Sequence, residues 1–350
     1  MTDFYIIKIL FFTTLSFVFA LLSTPLLTNF LYKYKMGKQI RNGGDTPVFS
    51  QMHAHKVGTP VMGGILIWAT VLILISIFYY LPKILPFTIL EGLNFFSRKE
   101  TLLPLGVLLA TAFVGLIDDW LDVKKKGVLG GGGLKIRHRI IIYTLIAVVG
   151  AWWFYFKLER DMFHIPFIGG IQVGWWYILI FIFVIVATAF SVNETDGLDG
   201  LAGGVLLFCF ASYAVICFAQ GRYDLATFCG AIVGALLAFL WFNINPARFF
   251  MGDTGSMSLG VTLGVIAILT NTALILPLIG LIFVIETGSV IIQLFSKKLR
   301  QGKKVFLSSP LHHHLEAKGW PEPKIVMRLW VIAAVAAVAG LIVFLLDKTI

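Results

Sequence analysis

Apolar residues run almost without interruption through ten stretches of this chain, at about 4–31, 60–81, 102–118, 140–156, 175–192, 198–219, 225–242, 254–270, 272–296 and 327–346. A helix of roughly 20 residues crosses the ~30 Å hydrocarbon core of a bilayer, so each stretch predicts one transmembrane helix. The longest polar connections, about 32–59, 119–139 and 297–326, all follow odd-numbered stretches. The pattern predicts an all-α integral membrane protein of about ten transmembrane helices, organised as one polytopic domain over 1–350.

Composition agrees: 58% of residues are hydrophobic and 13% charged, which excludes an ordinary soluble domain. An even number of crossings places both termini on one side. Connections after the odd-numbered stretches hold 20 of the 28 Lys and Arg residues, so the positive-inside rule puts those connections in the cytoplasm and both termini outside. The net charge of +10 follows from this topology and from anionic lipid headgroups; it does not call for nucleic acid. The first apolar stretch is too long for a cleaved leader and is expected to remain a helix. Cys209, Cys217 and Cys229 fall inside predicted spans without Cys-x-x-Cys spacing and read as buried free thiols.

Against this background three acidic motifs stand out at the ends of apolar runs: Asp118-Asp119-Trp-Leu-Asp122, Asn193-Glu-Thr-Asp196-Gly-Leu-Asp199, and Asp253-Thr-Gly-Ser256. Carboxylates against hydrocarbon are costly and call for a cation or cationic ligand. All three motifs fall on the predicted cytoplasmic face, which points to a metal-assisted active site there. Asp118 and Asp122 share a helix face and Asp119 points elsewhere. A C-terminal helix dipole repels acids, so a mere helix end explains the pair poorly.

The spacing of Asn193, Asp196 and Asp199 predicts that they line the first turns of the sixth helix, where Asn193 could also be a simple N-cap. Asp253 opens the eighth span; an oxygen-rich helix start suits Mg²⁺ with phosphate, and N-capping is the alternative. His312-His313-His314 with Glu316 lies in a basic connection, either contacting phosphate or sugar oxygens or simply solvated. Gly130 to Gly133 lacks the Walker pattern and reads as a hinge, with Lys135 beyond it a candidate counter-cation for the Asp pair. Glu286, beside Thr287-Gly288, marks a possible break in the ninth helix.

Taken together, His53-x-His55-Lys56-x-Gly-Thr-Pro-x-Met-Gly-Gly, Asp118-Asp119, Asn193-x-x-Asp196-Gly-Leu-Asp199-Gly, Asn245-Pro-Ala-x-x-Phe-Met-Gly-Asp253-Thr-Gly-Ser and Pro310-Leu-His312-His313-His314-x-Glu316 resemble the phospho-N-acetylmuramoyl-pentapeptide transferases, in the same order over about 30 to 326. The resemblance implies transfer of phospho-MurNAc-pentapeptide from UDP-MurNAc-pentapeptide to undecaprenyl phosphate, with Mg²⁺ as cofactor, in the bacterial cytoplasmic membrane, by a homodimer. It implies catalytic roles for Asp118, Asp119 and Asp253, with Asp253 carrying the metal. Asn193, Asp196, Asn243, Phe250 and Gln293 would line the nucleotide pocket, and Lys56, Lys135, His312, His313 and His314 would contact phosphate or sugar. The alternatives are a related UDP-GlcNAc transferase, which shares the acidic motifs, and an intramembrane prenyltransferase, which accounts for neither Asp253 nor the His run.

Overall fold

The computed structural model describes residues 2–37, 56, 58–85, 87–124 and 136–349. Ten long helices occupy the ten predicted stretches: α1 (Thr2–Lys33), α2 (Ile65–Ile84), α3 (Leu102–Val123), α4 (Ile136–Trp152), α5 (Trp176–Thr195), α6 (Leu201–Ala219), α7 (Tyr223–Asn243), α8 (Asp253–Leu269), α9 (Leu281–Leu299) and α10 (Glu322–Thr349). Eight are long and apolar enough to span a membrane, α4 with its π-helical extension Trp153–Lys157. The other two depart for physical reasons: α8 has only 17 residues, and α9 carries Glu286, Lys297 and Lys298.

Apolar bulk decides which helix sits in the middle. Every residue of α8 from Thr254 to Leu269 is buried. Its Leu259, Leu263 and Ile266 pack into a core shared with α2, α6 and α7, whereas Met257, Val261 and Val265 pack with α4 and α5. Peripheral helices keep apolar side chains on their outer faces, such as Leu22 and Leu26 of α1, Val149 of α4 and Val335 of α10. In water such faces would be unstable; in lipid they are the solvent-matched surface.

Both termini lie at one end of the bundle. Near the start of α1, Lys8 Nζ donates to Asn94 O at 2.8 Å and pairs with Asp224 at 3.1 Å. Near the end of α10, Asp347 accepts from His164 and from Phe167 N–H, both at 2.6 Å, and Lys348 donates to Ala219 O. His164 belongs to an antiparallel hairpin, β1 (Met162–Ile165) with β2 (Gly169–Gln172), in the register Met162 to Gln172. Hydropathy did not reveal this four-residue pairing, which lies in a connection between spans. The acidic motifs and the His run occupy the other end.

Two local expectations are corrected. The Asn193 motif does not open α6: Asn193 sits in the last turn of α5, Asp196 closes that helix, and α6 starts only at Leu201. Gly200, at φ +80°, turns the chain between them. The ninth span is broken, but at Gly280, between a short helix Leu276–Ile279 and α9; it runs unbroken through Glu286. Cys209, Cys217 and Cys229 are buried free thiols, as expected.

Candidate active site

The site is assembled where the end of α3 meets the start of α8. Helix α8 begins without a cap of its own, because the preceding Gly252 has no side chain and adopts φ +73°. Its first amides would be orphaned. Asp119, from α3, supplies the missing acceptor: Oδ1 receives Asp253 N–H at 2.8 Å and Oδ2 receives Thr254 N–H at 3.0 Å. A Cβ at position 252 would stand 2.6 Å from Asp119 Oδ2. Glycine there permits both the backbone angle and the close approach of the carboxylate.

Beside this junction Arg139, in the first turn of α4, reaches three partners. Its Nε donates to Asp118 Oδ2 at 3.1 Å, Nη1 to Asn193 Oδ1 at 2.8 Å, and Nη2 to Asp253 Oδ2 at 2.6 Å. Asn193 in turn donates from Nδ2 to Asp253 Oδ1 at 2.5 Å and to Ser256 Oγ at 2.9 Å. Four helices therefore contribute to one polar knot, and Asp118 is fully buried within it. The neighbouring acids at 118 and 119 are divided between two tasks, one facing the guanidinium and one capping α8. Lys135, expected as the counter-cation, and the glycines 130–133 lie outside the described residues; the cation seen is Arg139, four residues further along the sequence.

A second charged cluster lies where the turn after α5 meets the start of α10. Lys56 Nζ pairs with Asp199 Oδ1 at 2.7 Å and Glu322 Oε1 at 2.6 Å. Asp199 Oδ2 accepts from Asn245 Nδ2 at 3.0 Å and Ala247 N–H at 3.1 Å, and its own N–H donates to Glu322. The Lys56 ammonium lies 5.8 Å from the centre of the Phe250 ring. Asn243 is tied to backbone on both sides, accepting from Gly200 N–H at 2.9 Å and donating to Phe249 O at 2.8 Å. Gln293 is similarly occupied, accepting from Val305 and Phe306 N–H at 3.0 Å each and donating to Phe306 O at 2.9 Å.

The His run forms a short helix, Leu311–Ala317, with His312 and His313 buried, so the solvated reading is overturned for those two. His312 Nδ1 lies 3.0 Å from Glu286 Oε2 of α9, which also accepts the His312 N–H at 3.2 Å. His313 pairs with Glu316 at 2.7 Å. His314 Nδ1 accepts Leu307 N–H at 3.1 Å. Burial first, and the positive charge of Lys318 second, hold the His314 imidazole below its ordinary pKa.

The donor set fits a hard cation. Oxygens of Asp118, Asn193 and Asp253 converge on one cationic group. Among the described residues no three His, Cys, Asp or Glu side chains are grouped so as to hold a metal by themselves. Mg²⁺ meets that condition, since it takes one or two carboxylates and completes its shell with phosphate and water. On the outer face of the bundle, an apolar cavity of about 470 Å³ opens between α5, α8 and the Gly280 break, lined by Phe183, Ala187, Thr188, Leu263, Pro277 and Phe283 among others.

A polytopic helical bundle with carboxylates gathered at one end is a setting suited to a membrane enzyme, and comparison with known proteins gives its class. Residues 101–271 match the family model described as Glycosyl transferase family 4. A phospho-N-acetylmuramoyl-pentapeptide-transferase of Geobacillus sp. (strain WCH70) is 40% identical over 93% of this chain and 95% of its own. Proteins of the same name from Chloroflexus aggregans and Listeria welshimeri are 39% and 37% identical, over 93% and 94% of this chain and 86% and 95% of theirs. The chain belongs to the phospho-N-acetylmuramoyl-pentapeptide-transferase family and is a transferase of that family.

Arg139, Asp199, Glu286 and Glu322 are the site-forming residues that sequence reasoning did not single out as such. Asp199 and Glu286 carried a signal, as acids in a motif and in a span. Arg139 was hidden among basic residues that topology already explained.

Proposed function

We propose that the protein transfers phospho-MurNAc-pentapeptide from its UDP donor to undecaprenyl phosphate, yielding lipid I and UMP for peptidoglycan synthesis. The observation that carries this reading is the convergence of Asp118, Asn193 and Asp253 oxygens on a single cation at one end of the bundle. The reaction is a one-step displacement. An oxygen of the lipid phosphate attacks the sugar-bound phosphorus, the bond to the bridging oxygen breaks, and UMP departs with the electron pair. That acceptor, with a second pKa near ~6, is largely ionised at neutral pH and needs alignment more than activation.

Asp253, with Asp118 beside it, would hold Mg²⁺. When bound, the metal neutralises charge on the diphosphate. Asp118 orients the lipid phosphate, and Asp119 keeps the start of α8 in place. Asn193, Asp196 and Phe250 border the nucleotide. For Asn243 and Gln293 the internal bonds support a role in shaping that pocket's walls. Lys56, Lys135 and His312 to His314 serve the phosphates and sugar; Lys56 and His312 do so from positions fixed by acid partners. The apolar cavity beside Gly280 is suited to part of the polyprenyl chain. The working unit is a homodimer of a single polytopic domain in the bacterial cytoplasmic membrane, with the acidic end facing the cytoplasm.

The test is UMP release by purified protein with Mg²⁺ and undecaprenyl phosphate. Turnover is expected with UDP-MurNAc-pentapeptide and little with UDP-GlcNAc; comparable turnover of UDP-GlcNAc overturns the donor assignment. A stoichiometric UMP burst without lipid acceptor, leaving phospho-sugar bound covalently to an Asp, overturns the one-step reaction.

A further inference from the structure

The Arg139 guanidinium lies on the same oxygens that a divalent ion would need. Its Nη2 stands 2.6 Å from Asp253 Oδ2 and its Nε 3.1 Å from Asp118 Oδ2. Mg²⁺ binds carboxylate oxygen at about 2.0–2.1 Å, so an ion on either oxygen would stand within a few ångströms of the guanidinium. Two cations at that distance repel strongly in a partly buried site. Metal and guanidinium are therefore competitors for Asp118 and Asp253.

Two further observations bear on where the arginine goes. Its side chain is 21% exposed, against 0% for Asp118, so it has a path away from the carboxylates. It also projects from the first turn of α4, directly after the connection 125–135. A guanidinium that leaves the carboxylates but stays on this turn remains within a side-chain's reach of Asp253, where phosphates bound to a metal on Asp253 must lie. Its fork of donors suits phosphate as well as carboxylate.

We infer that Arg139 is an exchangeable cation: it holds Asp118, Asn193 and Asp253 together until a divalent ion takes the carboxylates, and the released guanidinium then grips the phosphates of the nucleotide. The inference rests on the proposed metal site, and the experiment separates the two. Phenylglyoxal reacts with arginines that are not engaged in ion pairs, and its adduct on the Arg139 peptide can be counted by mass spectrometry in the full-length wild-type protein. Mn²⁺ alone is expected to accelerate modification of Arg139, and subsequent UDP to suppress it. In parallel, Mn²⁺ affinity is measured by electron paramagnetic resonance. Arg139→Gln is expected to bind Mn²⁺ about tenfold more tightly in the absence of nucleotide, the scale of removing one nearby competing charge, and Arg139→Lys to fall between. Mn²⁺ binding that Asp253→Asn abolishes, together with Arg139 reactivity unchanged by Mn²⁺, overturns the exchange while leaving the metal site standing. Acceleration by Mn²⁺ without protection by UDP overturns the phosphate grip. Wild-type protein that binds no Mn²⁺ overturns the metal reading itself and the exchange with it.

Discussion

Asp119 and Asp253 are joined through backbone, not through a shared cation: the Asp119 carboxylate accepts the N–H of Asp253 at 2.8 Å and of its successor Thr254 at 3.0 Å. One acid of the pair on α3 thus fixes where the acid of α8 stands. Replacing a helix cap by alanine costs ~0.5–2 kcal/mol, and here the cap also holds two helices together. Asp119→Ala is expected to lower thermal stability in detergent by an amount at the upper end of that range, with Asp119→Asn losing less because an amide oxygen still accepts. Equal stability of wild type and Asp119→Ala would remove the capping role.

Lys56 is buried between Asp199 and Glu322. Removing one partner of a buried ion pair typically costs ~3–5 kcal/mol, because the remaining charge is uncompensated. Lys56→Met should therefore destabilise markedly, and adding Asp199→Asn to it should cost less than the sum of the two single changes. Strict additivity in denaturation would show that the cluster is not a coupled unit.

The third expectation concerns pH. The depressed pKa of His314 means that the unfolded chain takes up its proton first as pH falls, so stability is fully present above the unfolded value and declines on acidification. Protonation would also place a second donor opposite Leu307 N–H. Unfolding midpoints from pH 7.5 down to 5 should fall less steeply for His314→Gln than for wild type; parallel curves would discount His314 as a contributor.

Metal removal gives the fourth. An oxygen-only site answers to Mg²⁺ or Mn²⁺ in preference to Zn²⁺. Excess chelator should stop turnover, readdition of Mg²⁺ should restore it, and Asp253→Asn should abolish it with or without added metal. Undiminished UMP release in chelator would defeat the assignment of Asp253.

What the sequence disclosed follows from how each signal is encoded. Spans are visible because every residue of a run such as 225–242 reports the same environment. Asp118, Asn193 and Asp253 are visible because polar groups at the ends of such runs demand a partner. The identity of that partner is not local: Arg139 stands 54 residues from Asn193 and 114 from Asp253 in the chain, and only the packing of α4, α5 and α8 unites them. Placement of the Asn193 motif on α6 failed because three-residue spacing fits a helix start as well as a helix end followed by a glycine turn. Gln293 and Asn243 carried no sign that backbone groups would occupy their amides.

Helix α8 has 17 residues, about 26 Å at a rise of ~1.5 Å per residue, against a hydrocarbon core of ~30 Å. Its first residue does not reach the ends of its neighbours: Asp253 is held by Asp119, four residues before α3 ends at Val123, by Arg139, three residues inside α4, and by Asn193, two residues before α5 ends at Thr195. Asp253, as the first residue of α8, thus stands about one helical turn inside the ends of α3 and α4. The shortness of one central helix thus lets side chains from three of its neighbours close around its first residue.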